Sequence, residues 1–148
     1  MKIFLTFAAL LLSLAVPGAT AADPNFSGVW TLNEEQIEHG RLPDPPLTEM
    51  KVDHKDTAVQ CEPVNAPAMR FATDGRETTH PIGQGSGKSI AKWEGSALLI
   101  NTLVRTPQRS YTQMDRWKLS RDGATLTIRR QIVHLHGESE STLIYEKK

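Results

Sequence analysis

From residue 50 onward the chain alternates apolar and polar residues with a period of two. Met50, Val52 and His54 interleave with Lys51, Asp53 and Lys55, the pattern of a strand with one buried face. Similar runs cover Lys88 to Trp93, Ala97 to Arg105, Tyr111 to Leu119, Ala124 to His134 and Ser139 to Glu146. Short turn signals separate them: Glu94-Gly95-Ser96, Asp122-Gly123 and His136-Gly137. Val59 to Glu62 reads as a short strand, and Asp74-Gly75 divides Met69 to Thr73 from Arg76 to His80. Asp-Gly between alternating runs predicts a hairpin with a type I′ turn, in which both central residues need positive φ. Phe26 to Asn33 supplies a first strand, for about nine strands in meander order. Asn33 to His39 is the one stretch read as a short helix, with Asn33 as its cap and Glu34 and Glu35 in its first turn. The proline-rich segment Arg41 to Leu47 is an extended loop, because proline cannot donate to a ladder.

Consecutive hairpins without a crossover helix leave a sandwich or an up-and-down barrel. Meander order favours the barrel, whose closure removes exposed edges. The expected fold is therefore all-β: a single antiparallel barrel of about eight to nine strands.

Turn positions also predict registers. A two-residue loop at Asp122-Gly123 sets Leu119 opposite Leu126, Trp117 opposite Ile128 and Asp115 opposite Arg130. It then sets Gln113 opposite Ile132 and Tyr111 opposite His134. All the large apolar partners fall on one face, which a slip of one residue would destroy. A loop at His136-Gly137 pairs Arg130 with Leu143, Ile132 with Ser141 and His134 with Ser139. The inner face then has an apolar end (Trp117, Leu119, Leu126, Ile128, Tyr145, joined by Trp30), the Asp115–Arg130 pair in the middle, and a polar end of Tyr111, Gln113, His134 and Ser139. A cavity with an apolar floor and a polar mouth uses such a gradient.

Composition adds compartment and exclusions. Lys2 precedes an apolar run ending at Val16, followed by Pro17-Gly18 and Ala19-Thr20-Ala21-Ala22. This is the pattern of an export signal, cleaved after Ala21 or Ala22, and it places the protein in the periplasm or outside the cell. The domains are then a signal peptide at 1–21 and one barrel domain at 22–148. The chain carries 17 basic and 17 acidic residues, a balance that argues against a nucleic-acid partner. Cys61 stands alone, so no intramolecular disulfide forms and a buried structural thiol is the expectation. Gly83 to Ser89 lacks the first glycine of a phosphate loop, because Ile82 occupies that position.

The combination Asn25-Phe26-Ser27-Gly28-Val29-Trp30-Thr31-Leu32-Asn33, the proline-rich loop, Thr73-Asp74-Gly75, Lys92-Trp93-Glu94-Gly95, Asp115-Arg116-Trp117 and Asp122-Gly123 with Leu126-Thr127 resembles a lipocalin-like family of small exported bacterial proteins. The resemblance covers nearly the whole chain after the leader. It implies a calycin-type barrel with an internal cavity, and a lid where the proline-rich loop follows the first strand.

The candidate site is Tyr111, Gln113, Asp115, Arg130 and His134. Arg130 can orient a carboxylate bidentately, and the ligand expected is small, mostly apolar, with one polar or anionic group. Tyr111 and His134 could instead be an acid/base couple in an isomerase or cyclase that also uses the Asp115–Arg130 pair. A third possibility is a filled barrel acting as an envelope interaction or inhibitor module. His134 and His136 have no third ligand at a fixed spacing, so no metal is expected, and no motif implies a cofactor. Ser139 and Ser141 lack a nucleophile-elbow context.

Overall fold

The computed structural model describes residues 24–148. The expected export signal lies outside the described residues. The strands are β1 (Gly28–His39), β2 (Glu49–Lys55), β3 (Ala58–Pro63), β4 (Met69–Ala72), β5 (Thr78–Ile82), β6 (Gly85–Glu94), β7 (Ala97–Arg105), β8 (Ser110–Leu119), β9 (Thr125–His134) and β10 (Gly137–Lys147). They form one antiparallel sheet in the order β4-β3-β2-β1-β10-β9-β8-β7-β6-β5. The result is the expected up-and-down barrel, nearly closed and of ten strands. The first strand pairs with the last, which removes the edges both would otherwise expose.

The β8–β9 register is the predicted one, including Trp117 opposite Ile128, Asp115 opposite Arg130 and Tyr111 opposite His134. The turn is not type I′, however. Gly123 has φ +72° while Asp122 stays out of the positive region. A Gly123 N–H to Ser120 carbonyl bond of 3.0 Å closes it. At the next turn Gly137 already pairs with His134, so Ser139 faces Ile132, Ser141 faces Arg130 and Leu143 faces Ile128. The loop is Leu135-His136, and the expected β9–β10 register is corrected by two residues. An even shift preserves which side chains point inward.

Two other expectations give way. Asn33 to His39 is not a helix but the second half of β1, paired with β10 through irregularities at Leu32/Glu34 and Ile37/His39. A helix of that length is marginal in water, whereas the exposed edge of β10 offers a ladder of hydrogen bonds. Asp74-Gly75 is not the turn of a paired hairpin either. Strands β4 and β5 are the two ends of the sheet. Asp74 bridges Lys92 instead, and the Gly75 N–H donates to the Ala91 carbonyl at 3.1 Å, pinning the crossing onto β6.

The strands differ in length, and this shapes the interior. β1 pairs with β2 only as far as Thr31 opposite Glu49, but with β10 as far as His39. The half of the barrel beyond Thr31 therefore lacks β2 as a wall.

The other end is closed by the segment before β1. Phe26 donates its N–H to Nδ1 of His54 at 3.2 Å, and Ser27 Oγ accepts from the His54 N–H at 2.9 Å. Gly28, at φ +150°, turns the chain from this clasp into the strand. Phe26 stacks on Trp93 and meets Trp117 edge-on at centroid distances of 5.8 and 5.6 Å. Trp30 is fully buried and donates Nε1–H to the Phe26 carbonyl at 2.9 Å.

Trp30→Ala is expected to lower the unfolding free energy by about 3–5 kcal/mol, as for a buried Trp truncated in a core, and Trp30→Phe by less. Denaturant titration followed by circular dichroism measures both. An unchanged midpoint for Trp30→Ala would show that the clasp does not depend on its ring.

Candidate ligand site inside the barrel

Inward positions of six consecutive strands place a belt of polar side chains around the middle of the lumen. It runs from Thr78 and His80 on β5 through Ser89, Thr102, Gln113 and Asp115 to Arg130, Ser139 and Ser141. The belt is linked. His80 Nε2 lies 3.0 Å from Ser89 Oγ, which lies 2.7 Å from Thr102 Oγ1. Thr102 is opposite Gln113, whose Nε2 donates to Asp115 Oδ2 at 3.2 Å. Arg130 donates from Nε and Nη2 to the two Asp115 oxygens, each at 2.8 Å.

The Asp115 and Arg130 side chains are 6% and 15% exposed. Burial works against the guanidinium charge, and the facing carboxylate more than restores it, so the Arg130 pKa stands above its ordinary value. The bidentate pair uses Nε and one N–H of Nη2, which leaves further donors on the same fork. Ser141 stands directly opposite Arg130 on β10, with Ser139 two residues along the same face. Both hydroxyls are fully buried, and neither has a hydrogen-bond partner among the described residues.

The belt separates two apolar regions. Below it lies the main core, containing Trp30, Phe71, Trp117, Leu126, Ile128 and Tyr145. Above it Val104, Tyr111 and Ile132 form a smaller cluster, capped by Leu42 and Ile82. Leu42 belongs to the proline-rich loop, which folds across the missing β2 wall. Gly40, at φ +71°, lets the strap pass close over β10. A Cβ there would fall 2.3 Å from the Glu138 carbonyl oxygen. Asp44 then accepts hydrogen bonds from the Tyr111 hydroxyl at 2.9 Å and from Arg109 Nη2 at 2.5 Å. The far end is tied by the Tyr145 hydroxyl, which donates to the Leu47 carbonyl at 2.8 Å.

The structure thus brings Gln113, Asp115 and Arg130 into one network and leaves Tyr111 and His134 outside it. Tyr111 and His134 are cross-strand neighbours, and each directs a polar atom to another partner. The Tyr111 hydroxyl is engaged by Asp44. His134 Nδ1 accepts from the His136 N–H at 3.2 Å, within the turn. Burial, then the Asp44 bond, push the Tyr111 pKa from 10.0 up to about 12. Among the described residues no group of three or more His, Cys, Asp or Glu side chains could hold a metal ion. Sequence reasoning missed Asp44, Arg109 and the His80–Ser89–Thr102 chain. Leu42 and Leu47, apolar residues within a proline-rich loop, were the signal that this loop covers something.

The architecture is that of a lipocalin-like β-barrel. It is similar to the crystal structure of a secretary abundant heat soluble (SAHS) protein from Ramazzottius varieornatus, with a TM-score of 0.52 and 18% sequence identity over 82% of this chain and 94% of that one. At that identity the likeness concerns the fold. No protein-family model matches the chain, and no curated protein matches it in sequence.

Asp115→Ala should cost about 3–5 kcal/mol of stability, because Arg130 is left buried without its counter-charge. The double variant Asp115→Leu/Arg130→Met should recover most of that loss. Denaturation midpoints of the three proteins test this, and a double variant no better than the single one would show that the pair does more than balance charge.

Alkaline pH gives a second test. Burial, then the charge of Asp115, push the Cys61 thiol from 9.0 up to about 12. Burial raises Tyr145 from 10.0 to about 12, alongside Tyr111. In each case the native state holds its proton more tightly than the unfolded chain. Stability is therefore complete below about pH 9 and falls as pH rises from there toward 12. Cys61→Ala removes the group that titrates first, so its loss of stability should begin about one pH unit higher. Thermal scans across alkaline pH check this, and identical profiles would exclude the thiol as the trigger.

Proposed function

We propose that this protein is an exported binding protein whose barrel takes a small, mostly apolar molecule by its polar end. One observation carries the reading. In the middle of the lumen Arg130 keeps donors to spare beside the buried, unpartnered hydroxyls of Ser139 and Ser141. Buried polar atoms are normally satisfied, so this grouping suits a ligand atom that accepts hydrogen bonds. Trp117 and Ile128 form the next inward pair of the same ladder, two positions along, and offer an apolar floor. Because Asp115 already neutralises Arg130, a hydroxyl or carbonyl head fits with less repulsion than a carboxylate. The strap over Tyr111 is the natural lid, and the gap left where β1 outruns β2 is the natural way in.

The seating of Leu42 on Val104, Tyr111 and Ile132 favours one other reading, a filled barrel that acts through its surface. Binding experiments separate the two. Fluorescence of the Trp117 region would be titrated with matched aliphatic and aromatic alcohols, methyl esters and carboxylates. The wild type is expected to bind neutral heads at least as well as acids. A folded Asp115→Leu/Arg130→Met variant should lose about 1.5–3 kcal/mol, the worth of hydrogen bonds to a charged group. Equal affinity in both proteins would reject Arg130 as the anchor, and no binding across the panel would leave the filled barrel.

A further inference from the structure

The outer wall of β6–β9 carries an arrangement that neither the fold nor the lumen requires. Arg116 and Arg129 stand directly opposite each other on β8 and β9. Their parity is opposite to that of the buried Asp115 and Trp117, so both point outward. Like charges in directly opposed positions destabilise a sheet. Glu94 reaches Arg116 only at 3.9 Å, and Arg129 has no ion-pair partner among the described residues. Lys92 lies in the same cross-strand row, opposite Leu99, which is opposite Arg116. Lys118 follows on β8, and Lys88 sits two outward rows away, opposite Leu103, with a loose contact of 3.7 Å to Glu77.

This basic wall also exposes aliphatic carbon. Ile90 and Leu103 are 40% and 37% exposed. They line an open groove of about 440 Å³ with Lys88, Lys92 and Leu99. A second depression of about 310 Å³ lies between Arg116, Lys118, Thr127 and Arg129. The neighbouring wall has the reverse character. The outward positions of β10 hold Glu138, Glu140 and Glu146, and β1 adds Glu34 and Glu38. Since basic and acidic residues are equal in number, this is segregation of charge and not an excess of one sign.

We propose that the β6–β9 wall is a docking face for a bilayer rich in anionic phospholipid, with the Arg116–Arg129 pair holding headgroup phosphates. Each Lys or Arg near an anionic leaflet contributes on the order of 1 kcal/mol. A phosphate between the two guanidinium groups turns their repulsion into two charge-assisted contacts. Ile90, Leu99 and Leu103 supply the apolar area that an interfacial protein presses toward the acyl boundary. The acidic wall is repelled by the same surface, which fixes the orientation. A second copy offering its acidic wall has complementary charge but suits the surface less well. Two convex rigid walls meet over little area, and a heterologous contact of this kind does not close on itself. A fluid bilayer follows the curvature.

The test is co-sedimentation with phosphatidylcholine vesicles made with and without phosphatidylglycerol, using wild type and variants that share one N terminus. Wild type should bind only the phosphatidylglycerol vesicles, and added salt should weaken binding. Arg116→Gln/Arg129→Gln should bind at least about tenfold more weakly while its thermal stability holds or rises, because the repulsion is gone. Ile90→Ser/Leu103→Ser should also bind more weakly, and Glu138→Gln/Glu140→Gln should not. Absence of wild-type binding, or equal binding by the arginine variant, overturns the proposal. Salt-sensitive self-association without vesicle binding, read by sedimentation velocity, would assign the wall to a second copy instead and overturn it equally.

Discussion

A buried ion pair cannot sit in a purely apolar barrel, and Asp115–Arg130 sets the terms for the whole interior. Taking both charges out of water is costly, and mutual attraction offsets that cost only when the remaining lone pairs and protons are also met. Gln113 supplies one such contact from the same strand. Hydroxyls on the flanking strands continue the polar ring. The apolar core is consequently split, with the aromatic cluster of Phe26, Trp30 and Trp117 on one side and the small cluster of Val104, Tyr111 and Ile132 on the other. A hydrophobic pair at the same two positions would permit one continuous core. The polar ring divides the interior into two apolar regions of unequal size.

The two ends are closed by different means. At the aromatic end the clasp formed by Phe26 and Ser27 is fixed through His54 and packed against three rings. At the other end closure comes from a proline-rich strap, held by Asp44, Leu42 and the Leu47 carbonyl. Asp44 and Arg109 are both substantially exposed, and exposed ion pairs contribute little. The Tyr111–Asp44 and Tyr145–Leu47 hydrogen bonds and the seat of Leu42 therefore carry most of the strap's attachment.

Inside and outside follow separate logics, because a strand's two faces are independent. The inner face is constrained by packing and by the need to satisfy Arg130. The outer face is free of both, yet it gathers Lys92, Arg116, Lys118 and Arg129 on one wall and Glu138, Glu140 and Glu146 on the next. The same alternation that hides Asp115 presents Arg116.

The period-two pattern was sufficient for what depends on neighbours in sequence. It identified nearly every strand, assigned the inward face, and paired Asp115 with Arg130 across a tight turn, because parity along a strand is local. It failed where two competing local readings needed a distant partner to decide between them. Asn33 to His39 had a plausible cap and acidic first turn, but β10, a hundred residues later in the chain, supplied a ladder and made it strand. His136-Gly137 read as a turn, yet the pairing of the whole β9–β10 hairpin placed the loop at Leu135-His136. Asp74-Gly75 carried a hairpin signal, but sheet closure drew it to β6. Asp44 and the His80–Ser89–Thr102 chain were invisible for the same reason. A side chain's face is written in the residues beside it, whereas its partner across a lumen exists only once the sheet has curved back on itself.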